Sequence, residues 1–415
     1  MPQWVKNIVA WLPVVGLWML LCSFPFGNSL VRRLSYWVLA IGYIADYAIN
    51  RRWTGWQWHR GRWLGVAMIA LFLLPLLRQL FDPTPPTDYF RLQVHLNEWF
   101  LYMGIGLLLG FSDRLHLRHI AYVMLATSVA MAGYAAYLYL TRNMYWDHEP
   151  FVRFNMLRSH FISSHMVMNL FLNTAIILGC CAWRTTRAWW VRCLMLVAML
   201  VAAALICLSE GRTGILTLCL IVLVVGIHLI ILYTAGIQRW LGVSAVALVF
   251  LALLIILWWQ HPRFGLSDVA GEPRLAVWDY SWRQAQQAPL SGQGLSTMSE
   301  TYVEQAYNDS VMYNGFILTR LQQPEYLERG KTMITHHPHS AFLTYAIAYG
   351  AGGVVLLLLF FAAIAVLPVA PENRIYLILF LLALLLQALT EPIGEHLRPQ
   401  FFCTILLIWN YAHTD

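Results

Sequence analysis

The chain has 415 residues, of which 60% are hydrophobic and 11% are charged, and its mean hydropathy is +0.60. A soluble domain carries about 25% charged residues, so this composition excludes a soluble globular protein. The formal net charge is +7. The apolar residues form long continuous runs rather than alternating patterns, which favours membrane-spanning helices over a membrane β-barrel.

Taken in chain order, these runs predict an all-α polytopic membrane protein with about twelve transmembrane helices. The predicted spans are 4–25, 34–50, 63–81, 92–111, 120–140, 162–182, 189–208, 214–235, 240–259, 338–366, 375–393 and 399–413. We expect residues 1–415 to form a single integral membrane domain. One large loop containing helices, 260–337, is predicted between the ninth and tenth spans.

The arginines of the short loops predict that the N-terminus lies in the cytoplasm, because basic residues accumulate in cytoplasmic loops. The long loop, "SEGRTG" (209–214) and the segment 141–160 then face outwards. These outer segments are themselves rich in arginine, whereas lysine occurs only at Lys6 and Lys331. Since arginine binds phosphate through two parallel hydrogen bonds, the pattern indicates an anionic, phosphate-bearing ligand. Contact with lipid headgroups is the alternative.

The stretch "THHPHSAFLTYAIAYGAGG" (335–353) places histidines directly before an apolar run. Pro338 suits the first position of a helix, which predicts that His339 lies in the first turn. There the positive end of the helix dipole disfavours a protonated imidazole, so His339 is a candidate general base. Gly350 and Gly353 lie on nearly the same stripe, where glycines would let a neighbouring helix approach closely.

Two alternatives remain for these histidines. His339 is also suited to anchoring the helix at the membrane interface. A metal site formed by His336 and His339 at i, i+3 spacing is the other alternative, although no Cys, Asp or Glu adjoins the pair.

The long loop contains "RLAVWDYSWRQAQ", in which Leu275, Trp278 and Trp282 recur at helical spacing. This stripe predicts an amphipathic helix that lies on the membrane interface. Stacking of the tryptophans on sugar rings is the functional alternative.

Four segments together resemble the bacterial O-antigen ligases, within the ligase and polymerase superfamily of membrane glycosyltransferases. "HSAFLTYAIAYGAGG" is similar to the histidine helix of that family, and "SEGRTG" to its Ser-x-x-Arg segment at an outer helix end. "EPRLAVWDYSW" followed by "PLSGQGLST" resembles its Arg…Trp…Pro-x-x-Gly-x-Gly signature. The plan of about twelve helices with a large loop before the histidine helix agrees as well.

The resemblance implies a GT-C-like fold and transfer of a polysaccharide from undecaprenyl-pyrophosphate to the lipid A–core oligosaccharide in lipopolysaccharide biosynthesis. It implies an inverting, metal-independent reaction without a cofactor, on the periplasmic face of the inner membrane of a Gram-negative bacterium. His339 matches the catalytic histidine of the family, and Arg212 and Arg274 match the arginines that hold the pyrophosphate. The further candidates for substrate contacts are Arg142, Arg153, Arg158, His337 and Glu210; the family pattern fixes no role for the last two.

Three other functions remain open. An O-antigen polymerase and a protein O-oligosaccharyltransferase belong to the same superfamily and share its chemistry. A transporter or flippase for lipid-linked glycans is the alternative from another class. All of them would contact membrane lipids, and no nucleic-acid partner is expected.

Overall fold

The computed structural model describes residues 2–23, 29–49, 61–82, 85–86, 116–141, 165–209, 211–260, 273–296, 312–313, 316–317 and 338–390, with separate helical positions between 90 and 105. Within some of these helices only the backbone is described, and this applies to Arg212 and Arg274.

The described part is built almost entirely of α-helices. They are α1 (Gln3–Ser23), α2 (Ser29–Ile49), α3 (Gly61–Leu80), α4 (Leu117–Thr141), α5 (His165–Thr185), α6 (Trp189–Leu208), α7 (Arg212–Tyr233), α8 (Gly236–Gln260), α9 (Pro273–Gln287), α10 (Ala341–Ala365) and α11 (Arg374–Thr390). A 3₁₀ turn, Pro371–Asn373, precedes α11. In the long loop, Met312–Tyr313 (β1) pairs with Phe316–Ile317 (β2) in antiparallel orientation.

The all-α polytopic architecture predicted from the apolar runs is confirmed. Among the described residues, seven helices are long and apolar enough to cross a membrane: α1, α3, α4, α6, α7, α10 and α11. The predicted span 189–208 coincides with α6, and most other spans differ from their helices by a few residues. The predicted span 399–413 lies outside the described residues, so the total of twelve and the GT-C-like arrangement stay predictions.

Helix α10, which directly follows the candidate residue His339, contacts several other helices. It packs against α3, α9 and α11, while α11 also packs against α5 and α7. Helix α11 therefore joins α7 to α10. Large side chains such as Phe360 and Phe380 are fully buried between these helices, and this apolar packing fixes the helix ends that carry the polar residues.

Helix α10 is broken at Gly350, whose φ of 64° and ψ of −155° lie outside the helical region. The neighbour at this point is the loop 288–296, which follows α9. A Cβ at Gly350 would run into the carbonyl of Leu290, whereas a Cβ at Gly353 would meet the side chain of Tyr349 on α10 itself. The expectation that a neighbouring helix approaches here was therefore wrong at Gly350, which admits a loop, and at Gly353 the nearest atoms belong to α10 itself.

Helix α9 confirms the helix predicted in the long loop, but its buried face differs from the predicted stripe. Val277, Tyr280, Ser281 and Gln284 are buried, a periodicity typical of a helix that packs on one side. Trp282, from the predicted stripe, is 56% exposed. The helix thus has a protein-facing side that the tryptophan pattern did not indicate.

Candidate functional site

His339 lies immediately before α10 rather than in its first turn. Ser340 is the N-cap residue, and its hydroxyl accepts a hydrogen bond from the Leu343 amide at 3.5 Å. The placement of Pro338 at the first helical position was therefore wrong, because the serine competes successfully for the cap. His339 has a φ of 51°, and it is the only non-glycine residue with a positive φ among the described residues.

This left-handed conformation is rare for residues other than glycine, with histidine, asparagine and aspartate the main exceptions. It turns the chain sharply between Pro338 and Ser340, which are both buried. His339 itself is half-buried, with its Nδ1 atom enclosed. The imidazole is thus held at the mouth of α10 by a backbone that is fixed on both sides.

The described residues of "SEGRTG", Ser209 and 211–214, lie where α6 ends and α7 begins. Ser209 ends α6, and its hydroxyl lies 2.8 Å from Asn169 Oδ1 on α5 and 2.7 Å from the Ile206 carbonyl oxygen, so it donates to one of them at a time. Gly211 is the N-cap of α7 and supplies no side-chain cap. Arg212 is accordingly the first residue of α7, at a helix end whose amides favour anions.

The start of α7 and the start of α10 lie at the same end of the helix bundle, called the His339 end from here on. Thr213 Oγ1 and Thr390 Oγ1 are 3.3 Å apart, which joins the first turn of α7 to the last turn of α11. Helix α11 returns beside α10 after a tight connection that Arg374 closes by donating to the Leu367 carbonyl at 2.9 Å. The end of α11 and the start of α10 therefore share one side, and α7 begins there too.

Arg274 lies in the first turn of α9, which packs against α10. The loop that follows α9 is bonded to the break in α10: the Gln293 amide donates to the Ile347 carbonyl at 2.7 Å, and the Ala351 amide donates to the Pro289 carbonyl at 2.8 Å. All three elements that carry the predicted catalytic and pyrophosphate-binding residues are thus connected to α10 or α11.

The other sequence-predicted contacts are not placed. Arg142, Arg153, Arg158, His337 and Glu210 lie outside the described residues, as do the side chains of Arg212 and Arg274. Convergence of the two arginines on His339 therefore stays a prediction, as does the interpretation of His336 as a metal ligand, since that residue is not described either.

Residues 194–361 match the model of a protein family described as O-antigen ligase. This segment of the chain is similar to the O-antigen ligase family. It extends from α6 to the second half of α10, so Arg212, Arg274 and His339 all fall within it. No curated protein was found that matches the chain.

The segment that matches this family model contacts polar residues that the sequence alone did not single out. Asn169 and Asn173 are spaced i, i+4 on α5, and each is only 1% exposed. The Asn173 side-chain amide donates to the Gly214 carbonyl at 3.1 Å, and Asn169 lies against Gly214 as well as Ser209. Two asparagines on one face of an apolar helix were the available signal, since buried polar groups in a membrane are paired or functional.

Gly214 allows α5 to approach the first turn of α7, and we expect Gly214→Ala to destabilise this part of the structure. A Cβ there would lie 2.5 Å from Asn169 Cγ and 2.6 Å from Asn169 Cβ, far closer than van der Waals contact. Overpacking of this kind costs about 1–3 kcal/mol. The apparent melting temperature of the purified protein should fall, together with any activity that depends on Arg212.

Gly133→Ala is the matched control for this prediction. Gly133 is an exposed glycine within α4, and a Cβ there would meet nothing within 4 Å. Alanine favours a helix over glycine by about 0.5–1 kcal/mol, so this variant should melt at the same temperature as the wild type or higher. Equal melting temperatures for the two alanine variants would refute the close approach at Gly214.

Proposed function

We propose that the protein is an O-antigen ligase, a glycosyltransferase that moves a polysaccharide from undecaprenyl-pyrophosphate to the lipid A–core oligosaccharide. The observation that carries the proposal is the shared position of Arg212 and His339 at one end of the bundle, within the segment that matches the family model. In the proposed orientation the His339 end faces the periplasm and the protein spans the inner membrane of a Gram-negative bacterium.

The proposed reaction is a direct displacement with inversion at the anomeric carbon. A hydroxyl oxygen of the acceptor sugar attacks that carbon, and the bond from the carbon to the phosphate oxygen breaks. The electron pair of that bond leaves with undecaprenyl-pyrophosphate, and the hydroxyl proton passes to His339. One glycosidic bond replaces one glycosyl–phosphate bond, so the step needs no further reactant.

His339 acts as the general base in this proposal. A sugar hydroxyl is a weak nucleophile, and a base within hydrogen-bond reach accelerates such attacks by about two to four orders of magnitude. Because Nδ1 is enclosed by the protein, we assign the proton transfer to Nε2. The left-handed backbone at His339 supports this role, since uncommon conformations cluster at functional sites where surrounding structure maintains them.

Arg212 and Arg274 stabilise the departing pyrophosphate. Negative charge accumulates on the leaving group as its bond breaks, and guanidinium groups in a water-poor cleft stabilise such charge strongly. The start of α7 adds amide donors to the same end, since Gly211 leaves the first turn without a side-chain cap. Arg142, Arg153 and Arg158 are further candidates for phosphate contacts, and no metal ion takes part in the proposed step.

Reconstitution tests this assignment against the others of its superfamily. Purified protein in liposomes receives lipid-linked glycan together with either lipid A–core or a second lipid-linked glycan. We expect polysaccharide to become attached to lipid A–core, with release of undecaprenyl-pyrophosphate measured by mass spectrometry. A longer lipid-linked glycan would identify a polymerase instead.

Two further arms separate the remaining alternatives. Glycan that crosses the liposome membrane without forming a new covalent bond would identify a transporter. Addition of a chelator tests the metal-independent mechanism: activity abolished by the chelator and restored by one divalent ion would contradict it.

A further inference from the structure

Three segments meet at the break in α10, and we name this region the α10 joint. They are residues 78–82, which cover the end of α3 and the two residues after it, the loop 288–296, and residues 347–351 of α10. In an unbroken helix the Ile347 carbonyl would accept from the Ala351 amide. Here both groups bond to the loop instead, the carbonyl to the Gln293 amide at 2.7 Å and the amide to the Pro289 carbonyl at 2.8 Å. The Gly294 amide adds a bond to the Ala348 carbonyl at 2.9 Å.

The break lies deep in α10, so its backbone groups need the loop as a hydrogen-bond partner. Gly350 lies nine residues after Ala341, which at 1.5 Å per residue is about 14 Å into the helix. Helix α10 is long and apolar enough to cross a membrane, and backbone groups at that depth must find partners within the protein. The loop that follows α9 supplies those partners, and so α9 is attached to α10 at a defined point.

Arg78, on α3, forms hydrogen bonds with the side of the loop that faces away from α10. Its Nε donates to the Ser291 carbonyl at 3.2 Å, and its Nη2 donates to the Gly292 carbonyl at 3.1 Å. The Asp82 carboxylate, whose side chain is 3% exposed, lies 3.9 Å from Arg78 Nη1 and directly against Gly294. A planar guanidinium suits two neighbouring carbonyls in a way that a lysine ammonium does not.

A neighbouring contact supports the same arrangement. The Ser296 hydroxyl donates to Gln79 Oε1 at 2.8 Å, so the loop is bonded to two consecutive residues of α3. Gly292 and Gly294, with φ of 68° and 85°, allow the loop backbone to lie close to α10 on one side and to Asp82 on the other. The Pro-x-x-Gly-x-Gly sequence is thus the part of the joint that links α3 to α10.

We infer that Arg78 is a positioning residue for glycan transfer: by fixing the loop 288–296 against the break in α10, it sets where α9 and Arg274 stand relative to His339. The inference rests on the proposed function, in which Arg274 and His339 serve one reaction. Arg78 touches neither substrate in this account. Its effect passes through the loop, and misplacement of reacting groups by about 1 Å can cost about 100-fold in rate.

The experiment compares Arg78→Ala, Arg78→Lys and Asp82→Asn with the wild type. For Arg78→Ala we expect kcat for transfer to fall about 10- to 100-fold, with a smaller change in the KM for the lipid-linked donor. Arg78→Lys should be intermediate, because a lysine can reach one carbonyl but not both in the same geometry. Asp82→Asn should change kcat in the same direction and less. Arg187→Ala removes an exposed arginine at the opposite end of the bundle and should transfer at the wild-type rate.

Hydrogen–deuterium exchange distinguishes positioning from general instability. In Arg78→Ala, exchange should rise in peptides that contain Gln293, Gly294 and Ala351 and stay unchanged in α5. Wild-type kcat, or unchanged exchange in those peptides, would overturn the inference. If Arg78→Ala unfolds throughout, Arg78→Lys and Asp82→Asn carry the same two measurements.

The exchange measurement needs no catalysis, so the two proposals fail separately. If wild-type protein transfers no glycan but Arg78→Ala loosens the loop, the proposed function is wrong and the α10 joint stands. If the wild type transfers glycan and Arg78→Ala does so equally well, only the positioning role is wrong.

Discussion

Replacing His339 by alanine should lower the rate of glycan transfer by about 100-fold or more, because the acceptor hydroxyl would lose its general base. The loss should appear in kcat with saturating donor and acceptor, since the proposed role is proton transfer and not substrate binding. Initial rates with purified lipid-linked glycan and lipid A–core measure it. Binding of the donor, measured separately, should remain close to that of the wild type.

The backbone at this position demands a second variant. His339 has a φ of 51°, and any residue with a Cβ in the left-handed region is strained by about 1–2 kcal/mol. Alanine keeps this strain but loses the contacts of the imidazole that help to hold the turn. His339→Gly removes the same imidazole without that strain. Both variants should therefore transfer glycan about 100-fold more slowly or worse, while the glycine variant should melt close to the wild type. Added imidazole should restore part of the activity of His339→Gly.

These variants separate catalysis from structure. If His339→Gly transfers glycan at the wild-type rate, His339 is not the base, and the interfacial-anchor interpretation is preferred. A loss in His339→Ala alone would assign the residue a purely conformational role at the mouth of α10.

Hydropathy was sufficient to predict most of the described helices. An apolar run of about 20 residues has few alternatives to a membrane helix, and α6 begins and ends where the sequence indicated. Less was predictable at the helix ends. "HPHS" carries two competing start signals, a proline suited to the first turn and a serine suited to the cap, and the serine prevails at Ser340.

The sequence indicated candidate site residues but not how the helices that carry them are arranged. Placement of Arg212 and His339 at one end depends on the contact between Thr213 and Thr390, and neither threonine is distinguished by its sequence context. The break at Gly350 was equally hidden, because a glycine in an apolar run is compatible with a regular helix that packs closely on another. Only the facing loop, distant in sequence, shows that this glycine interrupts the helix.

Gly350→Ala is the second variant from which we expect a large effect. The φ and ψ of Gly350, 64° and −155°, fall in a region that is essentially restricted to glycine. An added Cβ would also run into the Leu290 carbonyl and lie 2.8 Å from the Gly292 amide nitrogen. Backbone strain and overpacking each cost about 1–3 kcal/mol. We therefore expect the loop to move away from α10 in this variant, because that movement removes the clash.

The matched control lies two residues further along the same helix. A Cβ at Gly352, which is exposed, would meet nothing within 4 Å, and Gly352→Ala should be neutral or stabilising by up to about 1 kcal/mol. We expect Gly350→Ala alone to lower the apparent melting temperature, raise amide exchange in the loop 288–296 and reduce transfer. The two substitutions add the same methyl group to the same helix. If the two variants behave alike, α10 runs unbroken through Gly350. The α10 joint, which connects α9 to α10, would then have to be abandoned.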